Sequence, residues 1–152
     1  MKQLRIYADT SVFGGCFDEE FEKESNQLFD EIKQGKFLLV ISETTERELN
    51  DAPSRVQEVL AGLPPEMVET VILSDEIRAL RDAYLKAAVV GPSSEADAEH
   101  IAAASVARVD FVVSWNFKHI VHYEKIRGFQ AINLLHGYEP IQIFSPKEVV
   151  AL

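Results

Sequence analysis

Residues 97–120 read DAEHIAAASVARVDFVVSWNFKHI, and this stretch decides the fold class. It opens with Asp97 in the first turn of a predicted alanine-rich helix, whose small side chains suit close packing. The helix leads into DFVVSW at 110–115, an apolar run that predicts a buried strand. Asn116 follows that strand directly, at the place where ligands bind in α/β proteins. The stretch therefore predicts a helix and strand of a parallel sheet, with a polar side chain at its carboxyl edge.

Other segments predict further strands. LRIYA at 4–8 alternates in polarity and ends in the turn-like DTSVFGG. FLLVIS at 37–42 is a short all-apolar run, as expected of a strand covered on both faces. AINLL at 131–135 and IQIF at 141–144 are possible short strands, while MVETVILS at 67–74 fits either a strand or a helix.

Apolar residues at helical spacing lie between these segments, and they predict helices at 20–34, 44–51, 54–61, 75–90 and 118–127. Gly35 is expected to end the first of these helices and Gly128 the last. The helix at 75–90 carries one apolar stripe, formed by Ile77, Leu80, Tyr84, Leu85 and Ala88. Alternating strands and helices predict an α/β protein with a parallel sheet and helices on both faces.

Length and composition set the outer limits. At 152 residues, 47% of them hydrophobic and 26% charged, the chain is expected to form a single domain over 1–152. Its apolar runs are far too short to span a bilayer, and its N-terminus lacks the features of a signal peptide. We therefore expect a cytoplasmic protein without a membrane segment. Cys16 is the one cysteine, so no internal disulfide is possible.

The net charge of −10 bears on the partners of the protein. Proteins that bind nucleic acid through a broad positive field owe most of that affinity to phosphate neutralisation, which an acidic chain cannot supply. A polyanionic substrate would have to be held locally, by a divalent cation or by a confined basic patch.

Polar residues follow several predicted strands. Asp9 follows the first strand, Glu48 lies in the helix after the second, Asp97 opens the alanine-rich helix, and Asn116 follows a later strand. A parallel sheet would bring them to one edge, where the three carboxylates repel one another unless a cation compensates. Mg²⁺ and Mn²⁺ prefer oxygen ligands, lower the pKa of bound water and neutralise a phosphodiester. These residues together predict metal-dependent phosphodiester hydrolysis.

The same residues also allow structural interpretations. Thr45-x-x-Glu48 and Ser94-x-x-Asp97 both match the capping-box pattern. Asp9 fits a turn acid and Asn116 a loop-former. The histidines allow a zinc site as well, with Asp97, His100, His119 and His122 as ligands.

Four stretches carry a resemblance to a known family: YADTSVFGG, SETTERELND, DAEHIAAASVARVDFVVSWNFKHI and INLLHGYEPIQIFSPKEVV. Together, and in this order, they resemble a PIN domain over nearly the whole chain. The resemblance implies a three-layer α/β/α sandwich with a central, mainly parallel sheet. It also implies an acidic pocket that binds Mg²⁺ or Mn²⁺. Many bacterial members are endoribonucleases, notably VapC-type toxins neutralised by an antitoxin, and a homodimer is expected by analogy.

Mapped onto this chain, the resemblance assigns the catalytic, metal-binding acids to Asp9, Glu48 and Asp97. The fourth family acid falls on Asn116, an amide in place of a carboxylate. We therefore expect a Mg²⁺- or Mn²⁺-dependent endoribonuclease that cleaves single-stranded RNA. The alternative is a catalytically weak PIN scaffold that binds nucleic acid or another protein. Asp110 begins the strand that Asn116 ends, so it is expected at the opposite edge of the sheet.

Residues beside these acids are candidates for contacting the substrate. Thr10 and Ser11 adjoin Asp9, and His100 lies one helical turn after Asp97. Beyond Asn116 comes the most basic stretch of the chain, with Lys118, His119, His122, Lys125 and Arg127. We expect Thr10, Ser11, His100, Lys118 and His119 to bind the substrate; capping hydroxyls, a half-buried histidine and a solvated helix face are the structural alternatives.

Overall fold

A computed structural model describes residues 2–151, and its centre is a single sheet of parallel strands. The strands are β1 (Leu4–Ala8), β2 (Phe37–Ser42), β3 (Val68–Val71), β4 (Phe111–Val113) and β5 (Ile143–Phe144), in the spatial order β3-β2-β1-β4-β5. The chain starts at the central strand β1, proceeds to one edge through β2 and β3, and then returns to the other side through β4 and β5. The strand order therefore reverses between β1 and β4, and all carboxyl ends meet at one edge of the sheet.

Helices connect the strands. They are α1 (Thr10–Gly15), α2 (Glu22–Lys33), α3 (Glu43–Asn50), α4 (Ser54–Ala61), α5 (Asp75–Lys86), α6 (Glu95–Val106), α7 (Tyr123–Leu135) and α8 (Pro146–Val150). Short 3₁₀ turns at Pro65–Met67 and Pro92–Ser94 precede β3 and α6.

The core lies on both faces of the sheet because successive strand side chains point to opposite sides. In β1, Ile6 and Ala8 face one side and Tyr7 faces the other. The first side is packed by α1, α2, α3, α4 and α8, and the second by α5, α6 and α7. In α6 the small residues Ala98 and Ala102–Ala104 are fully buried, which lets this helix approach the sheet closely. The predicted three-layer α/β/α sandwich is confirmed.

The segment after β1 differs from the prediction. The sequence predicts a turn for DTSVFGG, but Thr10–Gly15 forms the helix α1, with Asp9 in extended backbone conformation immediately before it. Val12 and Phe13 of this helix are fully buried. The helix is only six residues long, too short to display a helical period in the sequence.

The last third of the chain contains the largest correction. A single helix, α7, runs from Tyr123 to Leu135. The helix predicted at 118–127 is therefore right for 123–127 but wrong for 118–122 and at its end, and the strand predicted at 131–135 is wrong. Gly128 does not end α7: a Cβ atom at this position would meet Val89 Cγ1 at 2.8 Å, so the glycine permits close packing. Phe129 and Asn133 are both buried one turn apart, as helical spacing requires.

Smaller differences concern where elements end. Gly35 does follow α2, with a φ of +85°. The helix predicted at 75–90 ends at Lys86, and Ala88 adopts a φ of 57° beyond it instead of extending the stripe. MVETVILS contains a strand, and IQIF contributes the two-residue strand β5.

Candidate active site

The carboxyl edge of the sheet collects the predicted site residues at the reversal point between β1 and β4. Asp9 directly follows β1, and Asn116 lies three residues beyond the end of β4. Glu48 reaches this edge from α3, and Asp97 reaches it from the first turn of α6. Within this acidic cluster, Asn116 is hydrogen-bonded to Asp97 through its side chain and to Ser114 Oγ, a partner of Asp9, through its backbone N–H. Glu48 adjoins them through His100, which contacts Glu48 and interacts electrostatically with Asp9 and Asp97.

Asp9 is the innermost member, with 4% of its surface exposed. Its Oδ1 accepts a hydrogen bond from Ser11 Oγ at 2.6 Å, and its Oδ2 accepts one from Ser114 Oγ at 2.9 Å. Burial raises the pKa of Asp9, and repulsion from Asp97 raises it further, while His100 and the two hydroxyls act in the opposite direction. The carboxyl group is therefore held in a fixed orientation at the base of the site.

Glu48 is half-buried and leads into a chain of buried polar groups. Its Oε1 accepts a hydrogen bond from Thr10 Oγ1 at 2.7 Å and lies 2.5 Å from His100 Nε2. On the other side of the ring, His100 Nδ1 lies 2.6 Å from the hydroxyl of Tyr7, which also contacts Ser42 Oγ at 2.7 Å. This chain connects β1, α3 and α6, and so fixes the position of Glu48 relative to the sheet.

His100 and Glu48 are ionisable members of that chain. His100 is 1% exposed, and burial opposes its protonation, but Tyr7, Glu48 and Asp9 outweigh burial and raise the pKa of His100 to about 10. Burial would also raise the pKa of Glu48, yet the hydrogen bonds from His100 and Thr10 hold it below its usual value. At neutral pH the site therefore contains an imidazolium beside a carboxylate.

Asp97 and Asn116 form the other side of the cluster. Asn116 Nδ2 donates to Asp97 Oδ1 at 3.2 Å, while Asn116 Oδ1 accepts the backbone N–H of His119 at 2.9 Å. Burial raises the pKa of Asp97, His100 and His119 oppose the rise, and Glu48 adds to it. The amide thus orients Asp97 and ties it to the loop that follows β4.

The structure does not contain the two capping boxes that the sequence allows, Thr45 with Glu48 and Ser94 with Asp97. The capping box of α3 is formed by Ser42 and Thr45, not by Thr45 and Glu48. Within the described chain Ser94 makes no side-chain cap bond to α6, and Asp97 pairs with Asn116. Both acids are thus directed to the cluster rather than to their own helix ends.

The donor set is suited to a hard cation by its chemistry, since it offers three carboxylates and an amide. Residues 2–151 nevertheless contain no group of three or more His, Cys, Asp and Glu side chains placed to hold a metal together, which also leaves the zinc hypothesis without a site. Both oxygens of Asp9 accept hydrogen bonds from serine hydroxyls, and Oε1 of Glu48 is engaged by Thr10 and His100. The second oxygens of Glu48 and Asp97 accept no hydrogen bond from any described residue, so each retains a lone pair for a cation.

The predicted substrate-binding residues occupy two different environments. Thr10 and Ser11 are half-buried and donate to Glu48 and Asp9, so in this structure they orient the acids. Lys118 is exposed and His119 half-buried in the loop after Asn116, at the rim of the cluster. Their contact with a substrate stays a prediction.

Sequence reasoning missed three residues of the cluster: Tyr7, Ser42 and Ser114. All three are fully buried, and their hydroxyls bind His100, Tyr7 and Asp9 respectively. The available signal was a hydroxyl side chain inside an apolar run, in LRIYA, FLLVIS and FVVS. A buried hydroxyl needs a partner, and here the partners are the site residues.

Asp110 lies at the opposite edge of the sheet, where the strands begin, as predicted. Its Oδ2 accepts the backbone N–H of Arg5 at 2.8 Å, and Lys2 Nζ lies 3.4 Å from its Oδ1. Asp110 therefore fastens the amino ends of β1 and β4 together, far from Asn116.

Among residues 2–151 no helix has the length and apolar character needed to cross a membrane.

Known proteins share this fold but not this sequence. The sequence matches no family model, and no curated protein matches it. A search of solved structures does find a match: a chain of VapBC2 from Rickettsia felis, a complex solved bound to a DNA fragment from its promoter. The two chains share 12% sequence identity with a TM-score of 0.55, over 93% of this chain and 98% of the other. The protein is thus similar in fold to a chain of that VapBC2 complex.

Proposed function

We propose that this protein is a Mg²⁺- or Mn²⁺-dependent endoribonuclease of the PIN type that cleaves single-stranded RNA. The observation that carries the proposal is the meeting of Asp9, Glu48, Asp97 and Asn116 at the carboxyl edge of a parallel sheet, where the strand order reverses. Open α/β sheets bind their ligands at such a point. Three carboxylates gathered there favour a hard cation whose remaining ligands come from water and a substrate phosphate.

Each residue has a distinct task in this proposal. Asp9, Glu48 and Asp97 hold the cation directly or through water, and Asn116 completes the site by orienting Asp97 with its amide. The bound cation supplies positive charge against the phosphodiester and lowers the pKa of an attacking water. Thr10, Ser11 and Ser114 keep the carboxylates oriented through their hydroxyls, which limits the reorganisation that cation binding requires.

His100 acts as the resident counter-charge. Its Nε2 proton lies against Glu48 Oε1 and compensates the acidic cluster while no divalent cation is bound. Were Glu48 to hold a divalent cation, the cation would supply this positive charge, and His100 Nε2 would have a phosphate oxygen of the substrate as an alternative acceptor.

The partners are part of the same proposal. Because the sequence resembles VapC-type toxins and the fold matches a chain of a VapBC2 complex, we propose an antitoxin as protein partner and a homodimer as the assembly. Coexpression with the product of the adjacent reading frame, followed by mass determination of the purified complex, tests both.

The decisive experiment compares Asp97→Asn with Asp110→Asn. Both variants remove one carboxylate, but Asp97 lies in the cluster and Asp110 at the opposite edge. We expect wild type and Asp110→Asn to cleave a generic single-stranded RNA in Mn²⁺, and Asp97→Asn to lose at least about 100-fold in rate. Wild type should also gain thermal stability from Mn²⁺ by mass action, and Asp97→Asn should gain less.

Equal residual cleavage by wild type and Asp97→Asn would assign the activity to a contaminant. Together with a melting temperature that Mn²⁺ does not change, this result would overturn the nuclease proposal and leave the alternative of a scaffold that binds RNA or protein without cleaving it.

A further inference from the structure

Phe117 directly follows Asn116 and exposes 48% of its surface, although Trp115 before it is 8% exposed. A large apolar side chain left in water beside a polar cluster contributes little to folding, because its area is only partly buried. Its position is what distinguishes it: the preceding residue donates a hydrogen bond to Asp97.

Several hydrogen bonds restrain the backbone of the loop that carries Phe117. Phe117 N donates to Trp115 O at 2.9 Å, and His119 N donates to Asn116 Oδ1 at 2.9 Å. Asn116 O accepts further backbone bonds from Ile120 at 3.1 Å and Val121 at 2.8 Å, and the Ile120 side chain is fully buried. The backbone under the ring therefore has little freedom left to lose on binding.

The ring itself rests on an aromatic base. Phe21 and Trp115 stack with centroids 4.2 Å apart and planes 19° apart. Phe117 packs against both, with centroids 6.4 Å from Phe21 and 6.1 Å from Trp115. Such support holds the exposed part of the ring in a fixed orientation, and a preorganised contact costs less conformational entropy when a ligand binds.

Charge beside the ring indicates the occupant. Lys118 is exposed next to Phe117, and His119 follows in the same loop, in a chain whose net charge is −10. An aromatic ring beside a cationic side chain is the arrangement that binds single-stranded nucleic acid, with a base stacked on the ring and a phosphate near the cation. An apolar protein segment would instead need a continuous apolar surface, which a single ring with a lysine beside it does not offer.

We propose that Phe117 is a stacking platform for one nucleobase of single-stranded RNA, next to the phosphate that reaches the acidic cluster, and that Lys118 contacts the neighbouring backbone phosphate. This inference rests on the proposed function and adds to it a base-binding subsite. Stacking is tolerant of base identity, so the subsite selects single strands over duplexes rather than a sequence.

The test measures binding apart from cleavage. Short single-stranded RNA oligonucleotides, each with one 2-aminopurine at a different position, are titrated with protein in Ca²⁺, and a gel afterwards checks that they are intact. Quenching of 2-aminopurine fluorescence reports stacking directly. Phe117→Ala should weaken binding by about 5- to 100-fold and abolish the quenching at one position, whereas Phe117→Trp should preserve both.

Phe17→Ala is the matched control, since Phe17 is 40% exposed and its ring is covered by Arg55, 5.0 Å from the ring centroid, beyond the end of α1. This variant should bind as wild type does. Thermal melting of each variant separates a lost contact from a lost fold.

Unchanged affinity and quenching in a folded Phe117→Ala variant would overturn the inference, without touching the cleavage result for Asp97→Asn. Absence of 2-aminopurine quenching at every position in wild type would overturn it equally, whatever the cleavage assay returns.

Discussion

Asn116 Nδ2 donates a hydrogen bond to Asp97 Oδ1 over 3.2 Å, which joins the loop after β4 to the first turn of α6. A carboxylate at position 116 would have no proton to offer, so it would repel Asp97 at the same distance. The amide therefore replaces a charge repulsion by a hydrogen bond, which stabilises the acidic cluster when no divalent cation is bound. It also removes one anionic ligand from the set that a cation would meet.

Asn116→Asp is expected to lower the stability of the protein without divalent cations and to raise its affinity for Mn²⁺. Without divalent cations the variant should lose about 1 kcal/mol of unfolding free energy, because two partly buried carboxylates face each other. In Mn²⁺ it should bind the cation about tenfold more tightly, because a charged oxygen replaces a donor. Isothermal titration with Mn²⁺ and thermal melting with and without EDTA measure both effects.

Asn116→Ala serves as its control, since it removes the hydrogen bond without adding charge. It should destabilise the protein but leave Mn²⁺ affinity at or below that of wild type. If Asn116→Asp and Asn116→Ala changed Mn²⁺ affinity alike, position 116 would lie outside the reach of a bound cation.

His100→Gln tests the resident counter-charge. Glutamine keeps a donor but carries no charge, so Glu48 and the buried hydroxyl of Tyr7 lose a cationic partner. We expect a loss of roughly 1–3 kcal/mol in EDTA, and a smaller loss in saturating Mn²⁺, because the metal then supplies the positive charge. Urea unfolding in the two buffers gives both values.

His136→Gln makes the same replacement at an exposed position after α7, and it should change stability by less than about 0.5 kcal/mol. An equal loss for His100→Gln in EDTA and in Mn²⁺ would mean that His100 acts only by packing and hydrogen bonding.

Glu99 fastens the helices that carry the site. Its Oε1 accepts from Thr44 and from Arg47 Nη2 at 3.2 Å, and its Oε2 accepts from Arg81 Nη1 at 2.7 Å, so that α3, α5 and α6 are joined. Burial would raise the pKa of Glu99, but these bonds outweigh it and hold the pKa below the ordinary value of 4.5. Removing one partner of a buried ion pair is costly because the remaining charge is left without compensation.

Glu99→Gln should lower the unfolding free energy by about 2 kcal/mol at pH 7, because charge-assisted hydrogen bonds are lost while Arg81 keeps Asp82 and Glu95 as partners. Because the folded pKa is lowered, the contribution is fully present above pH 4.5 and is lost as the pH falls through the folded value, so the difference from wild type should shrink in acid. Glu95→Gln, at an exposed residue that also pairs with Arg81, should cost less than about 1 kcal/mol. Urea unfolding between pH 3 and pH 7 would refute the assignment if the two variants behaved alike.

The sequence predicted the layers of this fold because the alternating strand LRIYA and the apolar runs FLLVIS and FVVSW are separated by segments of helical periodicity. It failed where local pattern and tertiary contact disagree. Gly128 looks like a helix end in the sequence, but it lies inside α7, where the proximity of Val89 leaves no room for a side chain. The short helix α1 carries too few residues to reveal a period, although its burial is complete at Val12 and Phe13.

The candidate site divides in the same way. Asp9, Glu48, Asp97 and Asn116 were predictable because strand ends and helix starts converge in a parallel sheet. The roles of Tyr7, Ser114 and His100 were not, since they depend on which side chains meet across 93 or 105 residues of sequence. The spacing of residues along a short segment cannot indicate a hydrogen bond between residues so far apart in the sequence.

Gly15 of α1 packs closely against Trp115, which precedes Asn116 and Phe117 in the loop after β4. A Cβ atom at this position would lie 2.7 Å from Trp115 Nε1 and 2.6 Å from Ser25 Oγ, two groups that are themselves hydrogen-bonded at 2.8 Å. The rigid, buried indole cannot yield without moving the loop, so Gly15→Ala should cost about 1–3 kcal/mol and weaken cleavage and RNA binding together. At the adjacent Gly14 an added Cβ atom would meet no described atom within 4 Å, so Gly14→Ala should be neutral or stabilising by up to about 1 kcal/mol. Tryptophan fluorescence and urea unfolding of the two variants decide the matter: equal stability and an unchanged Trp115 spectrum would mean that the indole does not transmit the position of Gly15 to the site.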